Sequence, residues 1–304
     1  MISAIVPTIG RIDSLNALLQ SLAAQTHPVD EVIVSSAEQE TCDFINNWQS
    51  SGLTVRCLFV SPPNAVRQRM AAIEIARGDY LLLLDDDVVL ERDCVEQMIA
   101  LLETKADTSA VTADFNNQTW PDPTRIWQFY LRRILKLQRE QWQGRVVGPL
   151  LRFGFNPVPP TPQAMEWLGS GSSLVRRSAF VSVGGFSDFF LHRCTINEDV
   201  DLGLKLRRAG PIMFCPDARM AHHHAPGGRV TKFLAAEDDL FNRYFILRRT
   251  LQYHFLRAFG LVVLYFGVET LGQFLGCVRR LNFRGFAEPL SGRLRAFGRI
   301  LIRT

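Results

Sequence analysis

The chain has 304 residues, of which 47% are hydrophobic and 21% charged, and its formal net charge is +4. This apolar content can bury a sizeable core, which excludes an intrinsically disordered or low-complexity protein. The six cysteines form no Cys-X-X-Cys pair and no zinc-ligand spacing, and we expect no secretory leader ahead of the first strand-like run. We therefore expect reduced thiols and a cytoplasmic setting.

Short apolar runs alternate with helical repeats over the first third of the chain. Leu15, Leu18 and Leu22 recur at helical spacing behind Asp13, which is a favourable N-cap, and Pro7 closes the apolar run before them. The predicted elements, in chain order, are a strand at 2–6, a helix after Asp13, strands at 31–34 and 55–60, a helix at 64–77 and a strand at 80–84. Strands that alternate with helices pair in parallel, so the sequence predicts an α/β fold with a mostly parallel central sheet.

Three consecutive aspartates, Asp85, Asp86 and Asp87, follow the run YLLLL at 80–84. A strand that is apolar at every position suits the centre of a sheet covered on both faces, and its carboxyl end is where open α/β sheets bind ligands. Carboxylate oxygens are the ligands that hard divalent cations prefer. A solvated acidic turn is the alternative interpretation, but adjacent like charges beside a buried strand repel unless something neutralises them.

The middle of the chain is less regular. A helix at 91–104 and a strand at 109–113 extend the predicted sheet, and seven of the fifteen prolines then fall within 120–163. These prolines surround a basic amphipathic segment at 125–139, which we interpret as a lid, as an acceptor-side insertion or as an ordinary packed helix. A Gly/Ser turn is predicted at 169–173, and we predict no internal repeat.

A cluster of carboxylates opens the helix predicted after residue 197. The helix dipole favours ionised carboxylates at Glu198 and Asp199, and a general base must be ionised. The alternative is that these two residues, with Asp201, only cap the helix.

Residues 241–304 form a basic, Phe-rich tail. They hold eleven Arg and two acidic residues, a net charge of +9, whereas residues 1–240 carry −5. The run at 258–278 is long and apolar enough to span a bilayer, but the charge of Glu269 is expensive in lipid. An apolar, basic tail favours anionic lipid over nucleic acid. We expect helices that lie in the membrane interface; a membrane span is the second alternative, and a soluble helix packed on the catalytic domain is the third.

Five segments of the chain, in this order, resemble family 2 glycosyltransferases of the GT-A fold. They are PTIGR at 7–11, GDYLLLLDDD at 78–87, GSGSSLVRRSAF at 169–180, GGF at 184–186 and NEDVDLGLKLRRAG at 197–210. The resemblance covers about residues 1–250. It implies that Asp85 and Asp87 are the two ends of the family's DxD motif, with Asp87 at the metal and Asp85 at the ribose or a metal-bound water.

The same resemblance implies an acceptor-side base and a third metal ligand. Asp199 matches the aspartate that takes the acceptor's proton in an inverting displacement, and Glu198 would support it. His222, the first of three consecutive histidines in a predicted loop, matches the position where a histidine can complete the metal shell; a solvated histidine loop is the alternative. The implied cofactor is Mg²⁺ or Mn²⁺.

The implied donor site draws on several parts of the chain. Its expected residues are Pro7, Thr8, Arg11, Ser35, Arg67, Asp85, Asp86 and Arg229. Gly227, Gly228 and Arg229 would form a mobile flap over the pyrophosphate. Many relatives end their second strand with an aspartate that reads uracil, whereas this chain has Ser35 and Ser36, so the charge-assisted contact is lost. A UDP or dTDP sugar is the favoured donor.

Together these features predict a metal-dependent enzyme that transfers a sugar from a nucleotide diphosphate to an acceptor hydroxyl with inversion, in cell-surface polysaccharide or glycolipid synthesis. The expected division is a GT-A domain at 1–240, with an insertion at 120–165, and a helical membrane-associating tail at 241–304. The expected partners are a nucleotide sugar, a carbohydrate or lipid-linked acceptor and the cytoplasmic face of a membrane, with no nucleic acid. The alternatives are a nucleotidyltransferase on a related sheet and a catalytically silent membrane-bound adaptor that binds nucleotide sugar.

Overall fold

The computed structural model of the protein describes residues 1–48, 52–192, 195–227, 230–283 and 285–302. The chain forms two compact units. Unit 1 comprises Met1–Trp120 and Phe155–Gly228, and unit 2 comprises Pro121–Gly154 and Arg229–Thr304. Each unit is therefore assembled from two separate stretches of the chain.

The secondary structure alternates strands and helices up to residue 115 and is mainly helical after residue 231. The strands are β1 (Ile2–Thr8), β2 (Glu31–Ser36), β3 (Val55–Phe59), β4 (Tyr80–Leu84), β5 (Val88–Leu90), β6 (Ala110–Phe115), β7 (Val146–Val147), β8 (Leu151–Arg152), β9 (Gln163–Met165), β10 (Ser172–Arg176) and β11 (Ile212–His222). The α-helices are α1 (Ile12–Ala23), α2 (Gln39–Asn47), α3 (Ala65–Ile75), α4 (Cys94–Thr104), α5 (Arg125–Phe129), α6 (Arg139–Trp142), α7 (Arg177–Ser182), α8 (Glu198–Leu206), α9 (Lys232–Phe245), α10 (Phe255–Arg280) and α11 (Ala287–Ile302).

Unit 1 is built on a nine-stranded sheet. Its order is β3-β2-β1-β4-β10-β6-β11-β5, with β9 paired to β11. Parallel pairing joins β3, β2, β1 and β4, and it also joins β6 and β11. β10 lies between β4 and β6 and is antiparallel to both, so six of the nine strands run in one direction. The predicted α/β architecture with a mostly parallel central sheet is confirmed.

The core of unit 1 follows from the apolar patterns of its elements. Residues Leu81–Leu84 of β4 are fully buried, as expected for a central strand, and they continue the apolar surface of β1. Helix α1 contributes Leu15, Leu18 and Leu22 to the same cluster, all on one helical face. Burying a leucine side chain contributes about 1.5–3 kcal/mol, so this helix alone fixes one face of the sheet firmly.

Two features of unit 1 differ from the sequence-based expectation. Ser172 and Ser173, predicted as part of a turn, belong to the central strand β10, where Ser173 Oγ lies 2.8 Å from Thr112 Oγ1. Serine is not among the residue types that favour strands, so the sequence did not predict a strand here. In the structure the Ser173 hydroxyl is paired with that of Thr112 on the neighbouring strand β6. Cys42 and Cys57 form a disulfide that links α2 to β3, where we expected reduced thiols.

Unit 2 packs residues 121–154 against the helices that follow residue 230. Trp127 of α5 donates its indole N–H to Glu269 of α10 over 2.8 Å. The guanidinium of Arg243, which is buried in α9, donates to the carbonyl oxygens of Pro149 and Leu150. Buried donors need acceptors, and residues 149–150 supply them. Residues 121–154, predicted as part of an insertion in the first domain, thus pack with α9 and α10; the predicted boundary at residue 240 stays a prediction.

Helices α9 and α11 pack closely at one glycine. A Cβ atom on Gly292 would lie 2.2 Å from the carbonyl oxygen of Phe233, so only glycine permits this approach. Glu237 of α9 is 2% exposed and accepts a hydrogen bond from Arg299 of α11. The tail is therefore helical, as predicted, and one of its helices is fixed to α9 by both packing and an ion pair.

Two turns of unit 2 share sequence and backbone geometry. In each, an α-helix continues into a single π-helical turn with the sequence Leu-Arg-Arg, at Tyr130–Ile134 and at Ile246–Thr250. The N–H group that closes each turn lies 3.0 or 2.9 Å from its carbonyl acceptor, and the residue after it, Lys136 or Gln252, has a φ of +54° or +56°. The shared residues span too few positions to form a sequence period, so the expectation of no internal repeat stays a prediction.

Among the described residues, one helix, α10, is long and apolar enough to cross a membrane by length and composition alone. Its buried residues are Ala258, Val262 and Tyr265, which lie on one face. The opposite face leaves large apolar side chains exposed, namely Leu256, Val263, Leu271, Phe274, Leu275 and Val278. Helix α10 thus has one face buried within unit 2 and an opposite face that is apolar and exposed.

Candidate active site

The acidic turn at the carboxyl end of β4 holds three carboxylates in different environments. Asp85 is 38% exposed at its side chain, whereas the side chains of Asp86 and Asp87 are 1% and 5% exposed. The turn lies between β4 and β5, so its backbone is anchored on both sides by the sheet. Adjacent carboxylates that are buried need cationic or hydrogen-bonding partners, and other elements of unit 1 supply them.

Asp86 is held by residues at the end of β1 and the start of α1. Thr8 donates its hydroxyl hydrogen to Asp86, and both Nε and Nη2 of Arg11 contact its two oxygens at 3.2 and 2.9 Å. Burial raises the pKa of Asp86 to about 6, against the hydrogen bond from Thr8 and the charge of Arg11. Asp86 is therefore turned inward and serves to fix the turn.

Asp87 contacts three different residues of unit 1. It accepts from Arg11 Nη1 at 3.0 Å and from the backbone N–H of Ala225 at 2.9 Å, and its Oδ1 lies 3.1 Å from His222 Nε2. Burial opposes ionisation, but the hydrogen bond and charge of His222, with those of Arg11 and Ala225, lower the pKa of Asp87 below its ordinary value. Asp87 is thus ionised at neutral pH and presents its charge to the site.

His222 is the last residue of β11. The sequence-based prediction of a loop at this position was wrong. His222 pairs in the sheet with Val88, next to Asp87, and Asn117 fixes its backbone through two hydrogen bonds of 3.0 Å. Burial lowers the pKa of His222, but the hydrogen bond and charge of Asp87 outweigh it and raise that pKa overall. One ligand atom each from Asp85, Asp87 and His222 lies within 4.8 Å of the others, so the three side chains can hold a metal ion.

Arg69, which was not predicted from the sequence, links the acidic turn to the start of α8. Its guanidinium is 2% exposed; Nη2 lies 2.6 Å from Asp85 Oδ1 and Nη1 lies 3.9 Å from Glu198 Oε1. Glu198 also accepts from Ser170 Oγ at 3.1 Å. Arg67, the arginine that the sequence favoured, instead donates to the Leu191 carbonyl oxygen at 2.8 Å, away from the aspartates. The signal that could have distinguished them is helical spacing, since Arg69 lies on the buried face of α3 with Val66.

Helix α8 begins at Glu198, as the sequence predicted. Asn197 before it adopts a left-handed backbone with φ of +68°, a conformation that asparagine tolerates better than most residues. Glu198 is buried and Asp199 is half-buried, with its Oδ1 2.8 Å from the N–H of Val200. The two carboxylates thus lie in the first turn of the helix, at the positive end of its dipole.

Gly171 is required by the position of Asp85. A Cβ atom at residue 171 would lie 2.2 Å from Asp85 Oδ2, and the Asp85 N–H donates to the Gly171 carbonyl oxygen at 3.3 Å. The Gly/Ser segment, which resembled the family by sequence, therefore leaves room for the carboxylate that Arg69 orients.

Two of the remaining predicted donor residues lie at strand ends of unit 1. Pro7 and Ser35 are buried at the ends of the neighbouring strands β1 and β2, and the Ser35 hydroxyl has no hydrogen-bond partner among the described residues. Gln68, which was not predicted from the sequence, donates to the carbonyl oxygens of Thr8 and Ser35 and so links these two strand ends. The predicted contact from Arg229 falls outside the described residues.

The family of the chain follows from a comparison with known sequences. The model of the family "Glycosyl transferase family 2" matches residues 3–155, half of the chain. The chain belongs to glycosyl transferase family 2. The match includes the aspartates that follow β4, whereas Glu198, Asp199 and His222 of this glycosyltransferase come from the part of the chain beyond it.

Two curated relatives of this family 2 chain have names that concern bacterial polysaccharides. O-antigen biosynthesis protein RfbC of Myxococcus xanthus is 28% identical over 247 residues, which are 75% of this chain and 18% of RfbC. The N-acetylglucosaminyl-diphospho-decaprenol L-rhamnosyltransferase of Mycobacterium tuberculosis is 41% identical over 81 residues, 25% of each chain. The chain thus spans a quarter or less of the length of these relatives.

One solved structure supports the fold of the family 2 chain. GalNAc-T7, crystallised with UDP, GalNAc and Mn²⁺, superposes with a TM-score of 0.57 at 13% identity, over 82% of this chain and 50% of GalNAc-T7. At this identity the likeness concerns the fold alone, and it confirms the predicted GT-A architecture. The two carboxylates and one imidazole at the end of β4 are a suitable donor set for a divalent cation in such a fold.

Proposed function

We propose that this chain transfers a sugar from a nucleotide diphosphate to an acceptor hydroxyl, with inversion at the anomeric carbon and with Mg²⁺ or Mn²⁺ as cofactor. The observation that carries the proposal is the convergence of Asp85, Asp87 and His222 at the carboxyl end of β4. Family membership supports nucleotide-sugar chemistry, and the names of the relatives support a role in cell-surface polysaccharide synthesis.

In this proposal the acidic turn holds the donor. Asp87 and His222 are the principal cation ligands, and Asp85 contacts the ribose or a cation-bound water. A cation bound there would neutralise the charge that develops on the leaving diphosphate. Arg11 and Thr8 fix the inward-facing Asp86, so that the carboxylate of Asp87 keeps one orientation.

Asp199 is the proposed general base. It takes the proton of the acceptor hydroxyl while that oxygen attacks the anomeric carbon, and the bond from this carbon to the diphosphate oxygen breaks. The nucleotide diphosphate leaves with the bonding electrons, and the configuration inverts. Glu198, held by Ser170 and Arg69, supports the start of α8 and thereby the position of Asp199.

The donor base is proposed to meet Ser35. Its buried hydroxyl is without a partner among the described residues, and it lies at a strand end of unit 1, where it can hydrogen-bond a pyrimidine edge. A UDP or dTDP sugar is the donor class that we favour. Pro7 and Thr8, at the end of β1, and Arg67 and Arg229 complete the proposed donor contacts.

The proposed acceptor is lipid-linked and is met at the cytoplasmic face of a membrane. The Mycobacterium tuberculosis relative is named for an acceptor with a diphosphate and a decaprenol chain, which supports a lipid-linked acceptor here. Helix α10 supports membrane contact, since two polar residues in its middle face protein: Glu269 accepts from Trp127, and Gln273 accepts from Arg293 at 2.9 Å. Its apolar face is exposed, so we propose that α10 lies in the membrane interface.

The proposed function is tested by binding and by transfer. Nucleotide diphosphates should raise the melting temperature only in the presence of Mn²⁺, and a ligand at 100 times its Kd adds about 2.7 kcal/mol of stability. Labelled nucleotide sugars then identify the product. Transfer of a nucleotidyl group instead of a sugar, or nucleotide binding without any turnover on lipid-linked acceptors, would reject the proposal.

A matched pair of histidine variants tests the metal assignment within this proposal. The rings of His222 and His224 lie 4.0 Å apart, and of these two rings it is that of His222 that contacts the Asp87 carboxylate. His222→Ala should therefore weaken Mn²⁺ binding strongly, whereas His224→Ala should not. Equal effects of the two variants would remove His222 from the cation site.

A further inference from the structure

We propose that unit 2 contains a binding site for the diphosphate of a lipid-linked acceptor. The site is a cavity of about 400 Å³ lined by Arg132, Arg133, Gln138, Arg139 and Glu140. Its ligand class is a diphosphate joined to a long apolar chain. This inference rests on the proposed function for the identity of the acceptor, but the site itself is defined by the residues of unit 2 alone.

The cavity lies at the corner where the first π-helical turn ends and α6 begins. Three of its five lining residues are arginines and one is acidic. Residues 121–154 as a whole contain seven basic and two acidic residues, a net charge of +5. Arg132 and Arg133 are exposed and form no ion pair or hydrogen bond with any residue that the structure describes, so their positive charge is available to an anion.

Two of the three guanidinium groups have fixed neighbours. Arg139 donates to Asp122 over 2.8 Å, and the guanidinium of Arg132 lies 5.8 Å from the centre of the Trp142 ring. A guanidinium group can contact two phosphate oxygens at once, and a partly fixed one loses less conformational entropy on binding. The cavity is thus suited to a group with several anionic oxygens, such as a diphosphate.

Exposed apolar side chains in the helical segment that carries Arg132 and Arg133 indicate that the anion carries a hydrocarbon chain. Phe129 and Ile134, in the same helical segment as the arginines, are 62% and 60% exposed. A free phosphate would leave these side chains in water, whereas a prenyl chain would cover them and gain hydrophobic free energy. The combination of arginines and exposed apolar side chains therefore favours an amphiphilic diphosphate over a soluble anion.

The second π-helical turn provides an internal comparison. Its Arg248 donates to the carbonyl oxygen of Tyr253 over 2.6 Å and so closes its own turn. Arg249, which corresponds to Arg133, is exposed in the same backbone conformation. Arg249→Glu therefore matches Arg133→Glu in charge, local geometry and unit, but it lies outside the residues that line the cavity.

The test is calorimetric titration of the full-length protein in non-ionic detergent with farnesyl diphosphate. EDTA is present, so that no diphosphate is held through a metal at Asp87. We expect inorganic pyrophosphate and farnesol each to bind about tenfold more weakly than farnesyl diphosphate, because each lacks half of the recognised ligand. Arg132→Glu/Arg133→Glu should weaken binding of farnesyl diphosphate by about tenfold or more, and Arg249→Glu should leave it nearly unchanged.

Several outcomes would overturn the site. Unchanged binding by the double variant, or an equal loss with Arg249→Glu, would mean that general charge attraction is measured. If the double variant loses affinity for phosphatidylglycerol vesicles but keeps it for farnesyl diphosphate, the arginines bind phospholipid instead. Arg132→Gln/Arg133→Gln replaces the double variant if circular dichroism shows that the glutamates unfold the segment.

The failure of this inference can be told from the failure of the proposed function. The titration contains neither donor nor metal, so a protein that binds farnesyl diphosphate at the arginines but transfers no sugar would reject the proposed function alone. A protein that transfers sugar while the double variant binds farnesyl diphosphate like the wild type would reject this site alone.

Discussion

Unit 1 and unit 2 carry opposite charges. Unit 1 has 14 basic and 23 acidic residues, a net charge of −9, whereas unit 2 has 20 basic and 7 acidic residues, a net charge of +13. The carboxylates of the acidic turn in unit 1 are paired with Arg11, Arg69 and His222, but Arg132 and Arg133 of unit 2 have no acidic partner among the described residues. The two kinds of charge therefore differ in how far neighbouring residues of the chain neutralise them. The carboxylates of the acidic turn, with His222, can hold a cation, and the exposed arginines of unit 2 can attract anions.

The largest expected effect is that of Asp199→Asn in unit 1. Asparagine keeps nearly the same shape and can still accept a hydrogen bond at the start of α8, but it cannot take a proton. Turnover should fall by about 10²–10⁴-fold, or about 3–5 kcal/mol of barrier, with donor affinity unchanged. Steady-state kinetics and nucleotide titration measure both. The exposed Asp217, replaced in the same way, is the control, and near-normal transfer by Asp199→Asn would sink the proposed mechanism.

Removal of a charge from the acidic turn should have the next largest effect. Asp87→Ala removes a proposed cation ligand, while Arg11 keeps its ion pair with Asp86 and the turn keeps its fold. Affinity for Mn²⁺, measured by electron paramagnetic resonance, should fall about 100-fold. Asp79→Ala removes an exposed carboxylate of the same unit as a control. If both variants bind Mn²⁺ equally well, Asp87 is not a ligand.

Arg69→Gln should have a smaller effect, because Arg69 positions other residues. Loss of its contacts with Asp85 and Glu198 should lower both Mn²⁺ affinity and kcat by about 10–100-fold, and Arg69→Lys should restore part of each. Arg177→Gln is the control for lost packing. It removes a guanidinium of unit 1 that donates to backbone carbonyl oxygens and not to the carboxylates of the site. An equal loss of Mn²⁺ affinity in Arg177→Gln would assign Arg69 a purely structural role.

The smallest effect belongs to the exposed face of α10 in unit 2. Leu271→Gln/Phe274→Gln removes apolar side chains that are 49% and 44% exposed. Since each contributes about 1 kcal/mol or less when partly buried in lipid, vesicle binding should weaken about tenfold, with transfer to a soluble acceptor unchanged. Phe59→Gln/Ile75→Gln makes the same change on the surface of unit 1. A co-sedimentation assay in which both pairs behave alike would contradict interfacial binding by α10.

The sequence predicted the parts of the fold that local pattern determines. The run YLLLL is apolar at every position and is the buried strand β4, and the aspartates after it lie at a carboxyl end of the sheet. Glu198 begins a helix, as the carboxylates and the apolar spacing of that segment indicated. These features depend on periodicity and on helix-end chemistry, which short segments specify by themselves.

Features that depend on distant partners could not be predicted in this way. Arg67 and Arg69 are two residues apart and chemically identical, and only the packing of α3 turns Arg69 toward Asp85 and Arg67 toward the Leu191 carbonyl. Strand β10 begins with two serines and not with the β-branched or aromatic residues that indicate a strand, so it was not predicted. The association of residues 121–154 with α9 and α10 depends on buried partners such as Arg243, about ninety positions further along the chain.

The strand order also has a consequence for the order in which the protein folds. β1, β2, β3 and β4 are neighbours in the sheet and consecutive in the chain, so they can pair once residue 84 has been synthesised. β10 must then insert beside β4, although it begins only at Ser172. The backbone of Asp85 obtains its partner, the carbonyl of Gly171, at that step. A chain in synthesis thus carries a nearly complete half-sheet, whose acidic turn gains its final geometry only when β10 arrives.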